Sequence, residues 1–334
     1  MKHLFLLAPL LAAAAAGFRS GGESIVYAPA EGQRLARTFD SKGEYSLREI
    51  AIEVDGEEVG PEDAPSVEIA STEHIAVTDE IAAIAAGRPT RIERTFDELS
   101  QGAVLSSPGA DESTELAYAS ELEEATVVIA WDEEEETYAF SAAEDEEIDE
   151  ELLAHLAEDM DLRLFLPPGE VEEGATWPLS AAAYRSLAWP GGNLQFIAEG
   201  EEQDADELAL DLALAAALEG EGEATYAGVR EEDGLRLAAI SFTFELEAAV
   251  EREVEAEAEA VRSLVSGRET TREVEGELLW DLEHGHLHSL TATDESEFVF
   301  AETVSLDFGE ESHVQKQRRT FTGTSTLTVT VERE

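Results

Sequence analysis

The sequence predicts a mainly β protein: long antiparallel strands in a twisted, curved sheet or open barrel, with one or two short helices. Three observations carry this. Apolar and polar residues alternate with period 2 along most of the chain, as in a sheet with one buried and one wet face. Apolar residues make up 43% of the sequence, near the globular norm, so the chain folds despite a formal net charge of -56. Helical periodicity is confined to two short stretches.

The elements follow in chain order. Met1-Lys2-His3, an apolar run from Leu4 to Ala16, and small residues at Ala14 and Ala16 predict a secretory signal peptide over residues 1–17. The run is too short to span a bilayer, and no later stretch reaches about 18 consecutive apolar residues. Val67, Ile69, Ser71, Glu73, Ile75 and Val77 trace one face of a strand. Thr78 is positioned to cap a helix over Asp79–Ala86, with Gly87 and Pro89 as a stop signal. Val127, Ile129 and Trp131 lead into the acidic tip Asp132–Glu136, and Tyr138 and Phe140 return from it as a hairpin. A second helix opens at Asp145, with Ile148, Leu152, Leu156 and Met160 as its core-facing stripe. Pro167–Trp177 reads as a connector, and a boundary near residue 165 divides an N-terminal mixed β region (18–165) from a C-terminal antiparallel one (166–334).

In the second region, Leu208, Leu210, Leu212 and Leu214 alternate as a strand would. Ile240–Ala260 carries apolar residues on even positions and Glu on odd ones. Ala and Glu also favour helix, and Val250, Val254, Ala258 and Val261 fit helical spacing. The parity running on from Phe242 favours one long strand, and about 20 residues extend roughly 65 Å. The last strand sets Phe321, Ser325, Leu327, Val329 and Val331 against a run of alternating Thr.

Charge excludes some partners. Asp and Glu number 77 against 21 Lys and Arg, a field that repels nucleic-acid phosphates and anionic lipid headgroups and attracts cations. Two origins of this acidity stay open: adaptation to salty water, or a coding bias towards Ala, Glu, Arg and Gly. With no Cys, disulfides, thiolate metal sites and a lipidated N-terminal Cys are all excluded.

So many carboxylates make pairs at any spacing, so spacing identifies no general acid and base. The sequence has no D-x-[DN]-x-[DN]-G loop, which leaves only weak, diffuse Ca²⁺ binding as an expectation. It also lacks a G-x-S-x-G elbow, H-E-x-x-H, a phosphate loop and G-x-G-x-x-G. His284, His286 and His288 form the sharpest constellation, since alternate strand residues share a face and three imidazoles hold Zn²⁺ or Cu²⁺. Gly285, however, sits where a hairpin turns, and a turn exposes the imidazoles and sends them apart. The turn reading is preferred, so no catalytic, cofactor or metal residue is assigned, and the three His stand as the metal candidates. Trp131 and Trp280 fit strand alternation as packing residues, whereas Trp189 lies in a Pro-Gly-Gly loop.

Several stretches resemble a family of uncharacterised exported β-rich bacterial proteins, a domain of unknown function. They are Gly87-Arg88-Pro89 to Arg94-Thr95-Phe96-Asp97, Leu166-Pro167 through Val171 and Gly174 to Trp177, and Gly276-Glu277-Leu278-Leu279-Trp280-Asp281 before Gly285. The resemblance implies a β-rich envelope or secreted protein with no established activity, and it brings no functional residues.

The expected function is that of an exported, periplasmic or extracellular, non-catalytic structural or binding protein. The first alternative is a carrier of lipid or another apolar ligand in a curved sheet, which requires an uncovered apolar face. The second is a secreted hydrolase, which requires converging acid, base and nucleophile.

Overall fold

The computed structural model describes residues 22–60, 66–107, 113–144, 146–198, 200–201, 203–254, 261–307 and 312–334. The predicted signal segment 1–17 and Asp145, the predicted helix start, lie outside them. In chain order the strands are β1 (Arg34–Val54), β2 (Glu57–Glu58), β3 (Glu68–Ala85), β4 (Arg88–Ser106), β5 (Thr114–Ala119), β6 (Thr126–Asp132) and β7 (Thr137–Ala142). Helix α1 (Glu150–Leu153), β8 (Thr176–Leu179), α2 (Ala181–Ala188), β9 (Ile197–Ala198) and α3 (Ala205–Ala217) follow. The chain ends in β10 (Glu219–Glu232), β11 (Leu235–Val254), β12 (Val261–Asp281), β13 (His286–Asp307) and β14 (Ser312–Arg333).

All strand pairs are antiparallel, and the long strands form one curved sheet in the order β7-β6-β4-β3-β1-β14-β13-β12-β11-β10-β8, with β7 and β8 as its unclosed ends. Strand β1 pairs along its length with β14, so the first and last strands meet at the middle of the sheet. The expected fold class is the observed one, with three α-helices.

The register explains the core. Ile240, Leu278, Leu290, Val329, Phe39, Ile75 and Leu99 oppose one another in sequence across β11, β12, β13, β14, β1, β3 and β4. All seven are buried. Alternation on each strand thus assembles one continuous apolar row, defining the inner face. The segment between β7 and β10 packs on this row: Leu152, Met160, Leu162, Phe165, Tyr184 and Leu187 join the same cluster. Phe165 meets Phe242 and Phe244 edge-on at 4.9 and 6.0 Å, and Tyr184 meets Phe244 at 5.7 Å.

A buried ionic cluster fastens the segment to the sheet. Asp79 on β3 accepts from Arg94 Nε at 2.7 Å and Nη2 at 3.0 Å, and also from Arg37. Arg94 also donates from Nη1 to the Ala157 carbonyl and from Nη2 to the Glu158 carbonyl, each at 3.2 Å. Burial pushes the Asp79 carboxyl up, but the two guanidiniums outweigh it and hold the group below the usual carboxylate range.

The outer face is wet and acidic. Glu221, Glu245, Glu273 and Glu295 lie directly opposite one another on β10, β11, β12 and β13, all exposed. Like charges in cross-strand register repel.

Three expectations need correction. Residues 79–85 are strand, not helix: Asp79 and Ile81 continue the buried parity of β3, and positive φ at Ala86 (52°) and Gly87 (77°) makes a hairpin turn into β4. The stripe Ile148–Met160 does face the core, yet its helix is only Glu150–Leu153, because the next backbone groups pair with the Gly191 loop. Ala157 N donates to Gly191 O at 2.7 Å, and Asn193 N to His155 O at 2.9 Å.

Leu208–Leu214 is helical, since Asp204 caps Asp206 N and Glu207 N and the intervening residues are mostly Ala and acidic helix starters. The long strand expected from Ile240 is observed as far as Val254, which pairs with Leu264, and residues 255–260, the rest of that expectation, lie outside the described ones.

Candidate functional site

Among the described residues the inner face is covered over only part of its length. Beyond the helical segment the same strands continue, and their inner-face residues change character. Tyr45 and Ile69 oppose each other on β1 and β3, Phe298 opposes Phe321 on β13 and β14, and Phe300 opposes Arg319 in the next row. These six half-buried side chains line a recess of about 400 Å³. Tyr45 packs edge-on to Phe298 at 5.8 Å, and Phe300 to Phe321 at 5.7 Å. Gly323 makes the first contact possible: a Cβ there would sit 2.3 Å from the Tyr45 ring. Arg268 and Arg319 flank the strip at Phe300. The Arg268 guanidinium lies 4.8 Å from the Phe300 ring centre. Arg319 gives Nη2 to Glu302 at 3.3 Å and leaves a buried Nε without a hydrogen-bond partner.

A polar group separates this strip from the covered core. Tyr184 from α2 donates to Asp294 Oδ2 at 2.8 Å and accepts from Arg272 Nη1 at 2.7 Å, while Arg272 stacks 4.7 Å over Phe298. Burial drives the Tyr184 hydroxyl far above its ordinary range, so it stays a neutral donor.

A second recess, of about 470 Å³, opens beside α3. Leu208, Asp211, Leu212 and Ala215 form its helix wall, with Glu73 and Gln101 on the sheet side and His155, Asp159 and Trp189 from the loops. Burial raises Glu73, with the Gln101 amide at 3.1 Å a partial offset. It raises Asp159 and Asp211 too, against the pull of Arg94 on the first and Arg268 on the second. Among these residues sit no paired nucleophile and base. Glu73 and Ile69, one from each recess, share a face of β3 four residues or about 13 Å apart.

The predicted His candidates divide. Gly285 does turn the chain, with φ +66°, between β12 and β13. The turn does not part His284 and His286: with Asp281 they offer ligand atoms within 4.8 Å of one another, and His288 is outside that group. Nor is His286 exposed; it is 6% accessible, and its burial lowers its pKa. Asp281 accepts from Glu283 N, His284 N and His284 Nδ1, at 2.8–2.9 Å, and these bonds outweigh burial to hold its carboxyl below the usual range.

The tryptophans follow their sequence context. Trp280 is fully buried, and Trp131 lies under Arg88 at 3.5 Å and against Tyr138. Trp189 lines the recess beside α3. Sequence reasoning missed Glu73, Asp159, Asp211, Arg268 and Arg319. Glu73 carried a signal, a carboxylate on the apolar parity of a strand.

No family model matches the chain, and no curated protein matches it. By shape it is similar to an outer membrane channel from Pseudomonas putida F1, at 10% identity over 89% of this chain and 97% of the channel, with a TM-score of 0.17. A mutant porin of Rh. blastica gives 11% identity, 86% and 99% coverage, and a TM-score of 0.14. At such scores the likeness carries no argument. Among the described residues no helix is long and apolar enough to cross a membrane. On β11, β12 and β14 the outward positions are largely Glu and Thr.

Proposed function

We propose that this chain is an exported, non-catalytic binding protein, periplasmic or extracellular, that carries an acyl or similarly apolar ligand on the open part of its inner face. The observation that supports this is the aromatic strip of Tyr45, Phe298, Phe300 and Phe321, which no other described segment covers where the helical segment ends. Burying a chain against it gains roughly 25 cal/mol per Å² of apolar surface. The Arg319 and Arg268 guanidiniums beside the strip suit a ligand carboxylate. Binding then rests on shape and burial, and no nucleophile is asked for. Nucleic acid and anionic bilayers are repelled by the acidic outer face.

Native mass spectrometry of the purified protein tests the reading, with displacement of a fluorescent fatty acid as its solution counterpart. One bound chain per protein and saturable displacement are expected. The absence of both leaves a purely structural sheet. Turnover of ester, glycoside or peptide substrates that survives further purification overturns the non-catalytic reading.

A further inference from the structure

At the β12–β13 turn, opposite in chemistry to the apolar strip, we infer a site for one divalent transition-metal ion of the Zn²⁺ class, held by Asp281, His284 and His286. Three features of the turn carry this. The three side chains offer one carboxylate oxygen and two ring nitrogens within 4.8 Å of one another. One oxygen and two imidazoles are a donor set for Zn²⁺, Ni²⁺ or Cu²⁺ and a poor one for Ca²⁺, which wants six or more oxygens.

The second feature is orientation. His286 Nδ1 lies 2.6 Å from the Leu287 carbonyl, which only accepts, so Nδ1 carries the proton and Nε2 keeps its lone pair for a metal. His284 Nδ1 faces Asp281 Oδ2 at 2.8 Å. An ion bound at about 2.0–2.2 Å from both atoms fits that gap. It replaces the proton between them, which moves to Nε2 of the same neutral ring. Asp281 Oδ1 is meanwhile fixed by the N–H groups of Glu283 and His284.

The third feature is rigidity. Gly285 N donates to Asp281 O at 2.8 Å, closing the turn, and Gly285 O accepts from Ala28 N at 2.9 Å. A Cβ at Gly285 would lie 2.5 Å from that of Ala28, so the N-terminal segment clamps the turn from outside. Trp280 Nε1 bonds Val26 O at 3.1 Å and adds a second clasp. The ligands are thus set on a hairpin held from two sides, as a preorganised site requires. His284 is 30% exposed, which gives the ion a path and leaves a coordination position for water.

Two other imidazole–carboxylate pairs serve as internal controls. His74 meets Asp40 at 2.8 Å, and His313 pairs with Asp55. Neither pair belongs to a three-ligand group among the described residues.

The test is calorimetric titration of the protein with ZnCl₂ and NiCl₂ in a non-coordinating buffer containing excess CaCl₂ and MgCl₂, which saturate the surface carboxylates. One ion per chain is expected. That site is lost in His284→Gln, whose exposed position spares the fold, and in His286→Ala, and it is kept in His288→Ala and His74→Ala. In wild type the imidazole NMR signals of His284 and His286 shift with one equivalent of Zn²⁺. No stoichiometric binding in wild type, or equal binding in His284→Gln, overturns the inference.

Discussion

The covered and open halves of the inner face are built from the same strands and the same residue parity, yet one is packed core and the other lines a recess. Ile75 and Ile69 are on one face of β3, six residues or about 20 Å apart. Ile75 lies under the helical segment at 2% exposure, whereas Ile69 is half-buried at the rim of the recess. In the covered half the apolar row is closed by Phe165, Tyr184 and Leu187 from the inserted segment. In the open half nothing from the described chain closes over Phe298, Phe300 and Phe321. Alternation therefore makes an apolar face wherever it runs, and the length of the cover decides how much of it becomes core.

Breaking the covered half is expected to cost most. Asp79→Asn leaves Arg37 and Arg94 buried without their shared counter-charge, a loss of about 3–5 kcal/mol, read by urea unfolding at neutral pH. Trp280→Ala, at a fully buried site, costs a similar amount, about 3–5 kcal/mol. Because the Asp79 carboxyl is depressed in the folded state, its contribution is present above the ordinary carboxylate range. It is lost as pH falls through the depressed value, and acid unfolding of wild type tracks that loss.

Changes in the open half are expected to be milder. Phe321→Ala removes only a half-buried ring and lowers stability by about 1 kcal/mol. Equal losses at Trp280 and Phe321 would erase the distinction between the halves.

The outer face offers a third comparison. Molar NaCl raises the melting temperature by screening rows such as Glu245–Glu273–Glu295. Glu273→Gln raises it in low salt and loses that advantage in high salt. A melting temperature that is unchanged or lower in high salt refutes the charge argument.

The smallest expected effect is at Glu73. Burial raises its carboxyl in the folded state, so stability falls as pH rises from the ordinary carboxylate range through the raised value. Glu73→Gln removes that decline, and its melting temperature exceeds that of wild type at neutral pH but not at acid pH.

Much of the sheet was legible because parity is a local signal that burial enforces. The Val127–Phe140 hairpin and the Phe321–Val331 strand could be read residue by residue. The helix at Ala205–Ala217 was not, because Leu on every second position imitates a strand when the residues between are Ala and Asp. Asp79 looked like the first turn of a helix because its two partners, Arg37 and Arg94, lie 42 and 15 residues away. Phe298, Phe300 and Phe321 are plain in the sequence, but their exposure depends on where a distant insert ends. The His turn was located correctly at Gly285. The approach of His284 to His286 depends on Asp281 bonds and the Ala28 clamp, which spacing does not reveal.

We propose that the open half binds an apolar chain and the covered half does not. It is tested most directly by fluorescent fatty-acid affinity in wild type, Phe298→Asp and Phe300→Asp, with Trp131→Leu, on the β6–β7 hairpin away from the strip, as control. The account predicts saturable binding in wild type and the control, weakened at least about tenfold in both Asp variants while their melting temperatures stay close to wild type. Equal affinity in all four proteins would contradict it.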